Sequence, residues 1–216
     1  MKVLVTGFEP FGPWQRNPSG ETARHLDGVT IAGSANLPPI EITGLVLPVA
    51  FQSAITPLIT AIDELHPAVV LNLGQAGTTG IRVERIAVNR CEGKDNDGYN
   101  PGGKPITKSG PETYHSLLPV EEIVKLLSNN KFNVAISDSA GTFLCNYVMY
   151  TTLHHIAAHQ LHICAGFIHA SPLREEVPDS TNSKGMLQED WIDFTMKILD
   201  LLRTLVCVNP PTFHES

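Results

Sequence analysis

The sequence predicts an α/β fold: a three-layer α/β/α sandwich with a mostly parallel, twisted central sheet. Short apolar runs typical of buried strands alternate with amphipathic helical patterns, the order expected when a sheet lies between helical layers. A chain of 216 residues can also bury one substantial core. Because no internal repeat or long linker divides the sequence, we expect one domain over residues 1–216.

The chain begins with a short buried strand at 2–6, followed by an aromatic, turn-rich loop at 8–14. Asn17 offers an N-cap for a helix that runs through Leu26. A further strand is expected at 42–49.

The clearest helix covers 51–65, where apolar residues recur with i, i+3, i+4 spacing until His66-Pro67 ends it. Residues 68–73 form a continuous apolar run, typical of a central parallel strand that Gly74 should break. A strand at 82–89 is expected next.

The second half repeats the alternation of strands and helices. Its polar stretch at 90–103, rich in Asp, Asn and Gly, predicts a surface loop and a candidate lid. The remaining predicted elements are a helix at 120–127, a strand at 132–136, a helix at 143–159, a strand at 161–170, a polar loop at 172–189 and a closing amphipathic helix at 191–205.

Composition excludes several classes of partner. The formal net charge of −7 argues against nucleic acid, because phosphate binding needs clustered Lys and Arg. No apolar run approaches the roughly 20 residues that span a bilayer, and the first residues lack the apolar stretch of a signal peptide. We therefore expect a cytoplasmic protein without a membrane partner.

The four cysteines lie far apart, at 91, 145, 164 and 207, and form no CxxC pair. This spacing favours neither a zinc site nor a dithiol redox motif, so we expect no metal, and a reducing cytosol disfavours disulfides. Cys164 should be a core residue on the strand face opposite His169, and Cys207 a structural residue. Cys91 lies in the polar loop, where it is expected to be exposed without a role.

Cys145 is the best candidate nucleophile because it should lie in the first turn of the long helix. The positive end of a helix dipole favours a thiolate, and the free N–H groups there can stabilise an oxyanion. His169 is expected at the end of a strand, and Glu84 follows the turn that begins at Gly74. Ligands collect at the carboxyl ends of strands in open α/β sheets, so we expect a Cys–His–carboxylate constellation at one rim.

The residues alone leave other interpretations open. A free cysteine is more often a small buried hydrophobe than a nucleophile. His155 and His159 are spaced i, i+4 as in some metal sites, but surface histidines are the better interpretation here. The stretch from Gly74 to Gly80 lacks a nucleotide-binding pattern, and the run that starts at Asp95 resembles a calcium loop without its terminal Glu.

Four separated motifs resemble the pyroglutamyl peptidase I family of cysteine peptidases, also called pyrrolidone carboxyl peptidases. They occur in family order along the chain. The motifs are Gly7-Phe8-Glu9-Pro10-Phe11-Gly12 with Asn17-Pro18-Ser19, Gly74-Gln75-Ala76-Gly77 followed by Glu84-Arg85-Ile86-Ala87-Val88-Asn89, Ala140-Gly141-Thr142-Phe143-Leu144-Cys145-Asn146-Tyr147, and Gly166-Phe167-Ile168-His169.

The resemblance implies a cofactor-free enzyme with a Cys145–His169–Glu84 triad, acting on peptides with an N-terminal pyroglutamate. It also implies homo-oligomers, often tetramers. Phe8 and Phe11 would line an apolar pocket for the flat lactam ring, and Gln75 falls where the family pairs backbone atoms with the lactam amide.

The chain departs from the family pattern in two places. It is one residue shorter between Gly74 and Glu84, with Arg82 where Ser or Thr is usual, and the loop at 90–94 is also shortened. A thiol sensor or ligand-binding protein that has lost catalysis through these loops is one alternative function. A nucleoside phosphorylase-like transferase is another, although the sequence offers no convincing phosphate cradle.

Overall fold

The computed structural model describes residues 1–77, 79–177 and 185–208. Its strands are β1 (Lys2–Phe8), β2 (Thr30–Ile31), β3 (Ile40–Leu47), β4 (Val69–Gln75), β5 (Ile81–Glu84), β6 (Ile86–Val88), β7 (Thr113–His115), β8 (Val134–Ser137) and β9 (Cys164–Ala170). Its helices are α1 (Pro18–Leu26), α2 (Ile55–Leu65), α3 (Val120–Asn129), α4 (Leu144–Ala158), α5 (Gln188–Val208) and a 3-10 turn at Arg174–Glu176.

The main sheet has seven strands in the order β2-β3-β1-β4-β9-β5-β8. The pairs β1–β3, β1–β4, β4–β9 and β5–β8 are parallel, whereas β2 runs antiparallel to β3 and β5 runs antiparallel to β9. Strands β6 and β7 form a separate antiparallel pair. The predicted mostly parallel α/β sheet is confirmed.

The sheet separates two apolar cores, which produces the three layers. On one face the strands pack against α1, α3 and α5, with Trp191 of α5 fully buried. On the other face they pack against α2 and α4, through residues such as Leu58 and Val148. Successive residues of a strand point to opposite faces, and β9 accordingly places Phe167 in one core and Ile168 in the other.

Helix α1 begins where the sequence predicts. Asn17 is its N-cap, and the Asn17 side chain accepts a hydrogen bond from the Ser19 N–H. Helix α4 begins at Leu144 and places Cys145 in its first turn, as predicted. Within the described residues no helix combines the length and apolar character needed to cross a bilayer.

Helix α2 starts four residues later than the apolar spacing indicates. Residues 51–54 form turns instead, and the Phe51 N–H donates to Asp95 Oδ2 at 2.9 Å rather than joining a helix. The helix ends at Leu65, and its C-cap His66 has a φ of 48° in the left-handed region, just before Pro67.

Gly74 does not break the strand that contains it, contrary to the sequence prediction. Strand β4 continues through Gly74 to Gln75 and pairs with β9 over its whole length. A Cβ at position 74 would lie 2.7 Å from the Phe167 ring and 3.0 Å from Cys145 Sγ. The glycine is therefore required by a close approach and not by a turn.

The single strand predicted at 82–89 is two strands in different sheets, β5 and β6. They separate at Arg85, whose N–H donates to Ser137 O at 2.7 Å while its carbonyl accepts from the Ser116 N–H at 2.8 Å. Glu84 and Arg85 are both charged and interrupt the alternation of apolar residues at this junction, so the expectation of one continuous strand overlooked a local signal.

The stretch at 90–103 is not a free surface loop, because buried residues and hydrogen bonds connect it to the rest of the protein. Asp95 is buried and accepts hydrogen bonds from the N–H groups of Phe51, Asp97 and Tyr99. Cys91, expected to be exposed, is also buried, because its thiol packs into the α4-side core and donates to Lys104 O.

Candidate active site

His169 and Glu84 form the centre of the site although they lie far apart in sequence. His169 is on β9 and Glu84 is on β5, which runs beside it in antiparallel register with Arg82 opposite His169 and Glu84 opposite Phe167. His169 Nδ1 and Glu84 Oε1 are 2.8 Å apart, and both residues are buried. The hydrogen bond at Nδ1 leaves Nε2 of the imidazole for a second partner.

Cys145 is that second partner, because its side chain forms a hydrogen bond with His169. Its thiol lies against Gly74 of β4, and only the absence of a Cβ there makes room for the sulfur. Cys145 is half-buried, whereas Cys91 and Cys164 are buried in the two cores. Cys164 is on the face of β9 opposite His169, as the strand alternation predicts.

The electrostatics of His169 reflect these two neighbours. Burial by itself would lower the pKa of His169. The charge of Cys145 and its hydrogen bond to the ring raise this pKa, as do the hydrogen bond and the charge of Glu84, and together they bring it to about 10. An imidazolium is thus stabilised between a sulfur and a carboxylate in a site that excludes most water. The second oxygen of Glu84, Oε2, is buried without a hydrogen-bond partner among the described residues, and Oε1 holds the ring.

The start of α4 supplies unpaired backbone donors. The first helical hydrogen bond runs from the Tyr147 N–H to Phe143 O at 3.0 Å, and within the described ranges no side chain caps the helix. The N–H groups of Leu144, Cys145 and Asn146 therefore precede the helical ladder. These are the groups that the sequence analysis expected as oxyanion donors.

A cavity of about 510 Å³ connects these groups with the aromatic residues near the end of β1. Its lining includes Phe8, Phe11, Gln75, Cys145 and His169. Phe8 is buried, Phe11 is half-buried, and the Phe8 ring centroid lies 6.3 Å from that of Phe167. The cavity thus has an apolar end beside β1 and a polar end beside β5.

Gln75 contributes its backbone to this cavity. Gly74 faces Cys145, so the alternation of the strand turns the Gln75 side chain to the opposite face. Both atoms of its amide are buried there and have no partner in the part of the chain that the structure describes. The Ala76 N–H donates to Ala170 O of β9 at 3.0 Å. Alternation therefore directs the N–H and C=O of Gln75 toward β1, whose pairing with β4 ends at Thr6 and Asn72.

The three candidate catalytic residues meet, but not in the way that the sequence analysis expected. Because β5 and β8 run antiparallel to β9, the carboxyl end of β5 does not lie at the same rim as that of β9. Glu84 lies opposite Phe167, two residues before His169 on β9, and inside the sheet, which is why it is buried.

Two further residues of the site were given no role from the sequence, although Asn146 lies in the cysteine motif and Arg82 departs from the family pattern. Asn146 is fully buried and clamps β6: its Oδ1 accepts from the Val88 N–H at 2.8 Å, and its Nδ2 donates to the carbonyls of Val88 and Arg90. Arg82 lines the polar end of the cavity. Its side-chain direction follows from the register of β5, which only the structure defines.

The histidines of α4 lie away from this cavity and have local partners. His155 Nε2 is 2.8 Å from Asp63 Oδ1, and His154 Nδ1 is 2.9 Å from the Tyr114 hydroxyl. Among the described residues, no group of three or more His, Cys, Asp and Glu side chains could hold a metal ion. The Cys207 side chain lies outside the described residues.

Comparisons with known proteins agree with this architecture. Residues 1–195 match the family model described as pyroglutamyl peptidase. The pyrrolidone-carboxylate peptidase of Pyrococcus furiosus is 41% identical over 182 residues, which are 83% of this chain and 85% of that protein. A pyrrolidone-carboxylate peptidase of Caldanaerobacter subterraneus subsp. tengcongensis is 38% identical over 89% of this chain and 93% of its own.

The chain belongs to the pyroglutamyl peptidase family. The solved structure of the pyrrolidone carboxyl peptidase from Thermococcus litoralis superposes with a TM-score of 0.89 at 36% identity and covers 100% of this chain and 99% of its own. A mutant of the Pyrococcus furiosus protein gives a TM-score of 0.88 at 36% identity, over 95% and 100% of the two chains. The segment matched to the pyroglutamyl peptidase family contains every candidate site residue named above.

Proposed function

We propose that this member of the pyroglutamyl peptidase family hydrolyses the peptide bond that follows an N-terminal pyroglutamyl residue, through a thioester on Cys145. The observation that carries the proposal is the buried His169–Glu84 hydrogen bond, 2.8 Å long, beside a half-buried thiol at the wall of one cavity. A nucleophile, a base and a group that orients the base are the three components of a catalytic triad.

The proposed reaction has two steps. The Cys145 thiolate attacks the pyroglutamyl carbonyl carbon, and the carbonyl electrons return to expel the amine, which takes a proton from the His169 imidazolium. A thioester remains. Neutral His169 then removes a proton from water as the water attacks the thioester, and Cys145 leaves as a thiolate with His169 protonated again.

The N–H groups at the start of α4 are suited to the negative oxygen that forms in both steps. They belong to Leu144, Cys145 and Asn146, precede the first helical hydrogen bond, and lie at the positive end of the helix dipole. Removing one such donor in other hydrolases costs about 100-fold to 1000-fold in rate. The clamp between Asn146 and β6 keeps this turn in position.

The apolar end of the cavity favours a pyroglutamyl ring over an ordinary N-terminus. A lactam is uncharged, so Phe8 and Phe11 can cover its ring while the Gln75 backbone N–H and C=O pair with its amide. An ordinary N-terminal residue would bring an ammonium group beside the same aromatic rings. Burying that charge without a partner costs several kcal/mol or more, which excludes such substrates.

The activity test uses a pyroglutamyl conjugate of a chromophoric amine. The purified protein should release the amine from this conjugate and not from the matching prolyl conjugate, which carries a charged ring nitrogen. C145A should reduce the rate by at least about 10⁴-fold. Activity that survives in C145A would overturn the mechanism, and binding of pyroglutamate without turnover would favour the alternative of a ligand-binding protein.

Cys91 and Cys164 provide matched controls. Both are buried, and burial raises the pKa of Cys91, opposed in part by Lys104, and raises that of Cys164 to about 12. C91S and C164S should therefore retain activity and its inhibition by iodoacetamide. Peptide mass spectrometry of the inhibited wild type should place the alkyl group on Cys145.

A further inference from the structure

We propose that Arg82 recognises a carboxylate on the residue that follows pyroglutamate, so that leaving residues with a free carboxylate are preferred; this inference rests on the proposed function. Arg82 is half-buried and lines the cavity on the same face of β5 as Glu84. It is the only lysine or arginine among the described residues of the cavity lining.

The guanidinium of Arg82 has unused hydrogen-bonding capacity. Its Nη1 donates to Ile81 O at 3.0 Å, and in residues 1–77, 79–177 and 185–208 no carboxylate forms an ion pair with it. The neighbouring acids are engaged elsewhere: Glu84 with His169, and Asp138 with Arg85 at 3.1 Å. An arginine has five N–H donors in a planar fork that matches a carboxylate.

The order of the strands places Arg82 on the leaving-group side of the scissile bond. Phe8 and Gln75, at the ring end, are on β1 and β4, and His169 follows on β9. Arg82 lies directly opposite His169 on the next strand, β5. Adjacent strands are about 4.8 Å apart, and an extended peptide advances about 3.4 Å per residue. A substrate that places the nitrogen of its scissile bond at His169 therefore brings the residue after pyroglutamate to Arg82.

Two isosteric pairs of peptides test this assignment and separate the two sources of a carboxylate. Pyroglutamyl-glutamyl amide against pyroglutamyl-glutaminyl amide probes a side-chain carboxylate. Pyroglutamyl-alanine against pyroglutamyl-alaninamide probes a terminal carboxylate. For the wild type at low ionic strength, the acidic member of at least one pair should have a kcat/KM about tenfold higher, and added salt should reduce this ratio.

R82Q should reduce the preferred acid-to-neutral ratio to about one, whatever happens to the absolute rates. R85Q is the matched control, because Arg85 carries the same charge three residues away, outside the cavity lining, and R85Q should keep the wild-type ratio.

A wild-type ratio near one for both pairs, or an R82Q ratio equal to that of the wild type, would overturn the role of Arg82 while leaving the peptidase proposal intact. Failure of the wild type to cleave any of the four peptides would overturn both.

Discussion

At the scale of single residues, the site depends on the hydrogen bond between Glu84 and His169. Glu84 is buried inside the sheet and holds Nδ1 of the ring, which directs Nε2 toward Cys145. It also acts on charge, since it is one of the groups that raise the pKa of His169 above its ordinary value of 6.5. Replacing the Glu84 carboxylate with an amide removes the negative charge but keeps an oxygen that can hold the His169 ring, so this change separates the two effects.

E84Q should lower kcat/KM by about 100-fold or more and shift its alkaline limb to lower pH. The sign follows from charge: Glu84 stabilises the imidazolium, so its neutral isostere lets His169 lose the proton at a lower pH. The measurement is the pH dependence of kcat/KM for a pyroglutamyl conjugate. E112Q, at an exposed glutamate, should leave the profile unchanged. An unshifted alkaline limb in E84Q would contradict the assigned role.

At the scale of elements, glycines allow α1 and β1 to pack closely enough to place Phe8 at the cavity. A Cβ at Gly20 of α1 would lie 2.1 Å from Phe8 O, and one at Gly7 of β1 would lie 2.1 Å from Ser19 O. The Ser19 hydroxyl also accepts the Phe8 N–H at 3.1 Å, which fixes the end of β1. The position of the aromatic pocket is therefore set by backbone contact between two elements.

G20A should destabilise the protein by about 2 kcal/mol or more and raise KM for pyroglutamyl substrates. Helix propensity favours alanine over glycine by only about 1 kcal/mol, and the clash with the Phe8 carbonyl outweighs it because backbone must move. H25A, on the exposed face of the same helix, should change stability by less than about 0.5 kcal/mol. Urea unfolding compares the two variants, and a G20A as stable as H25A would show that the helix can shift freely.

At the scale of the whole molecule, the segment at 90–104 joins parts of the chain that are distant in sequence. Asp95 binds the Phe51 N–H at the turn before α2, and the Asn96 side chain donates to Pro10 O in the loop after β1. The Glu92 N–H donates to Thr142 O at 2.7 Å, just before α4. The cavity loops are therefore held by one common segment.

D95A should lower the free energy of unfolding by about 2–4 kcal/mol, because it leaves the N–H groups of Phe51, Asp97 and Tyr99 without their acceptor. D97A, at an exposed position of the same segment, should have little effect. Thermal unfolding measures both. Equal melting temperatures for the two variants would show that the segment is not an integral part of the fold.

The sequence predicted the candidate site better than it predicted the boundaries of some elements. Cys145 at the start of a helix and His169 near the end of a strand follow from local patterns, and the motifs named Glu84. The same patterns failed at Gly74, because a glycine in a strand looks the same whether the chain turns or continues. At Arg85 the two adjacent charges interrupt the alternation, but alternation alone does not say that the next strand joins another sheet.

The sequence alone established which segments are buried strands and which are amphipathic helices. It also established that the Cys145 thiol lies at the start of a helix. Tertiary structure decided that β5 runs antiparallel to β9, which brings Glu84 to His169 and turns Arg82 into the cavity. The physical reason is that strand register depends on hydrogen bonds between distant segments, and a shift of one residue would point each of these side chains to the other face.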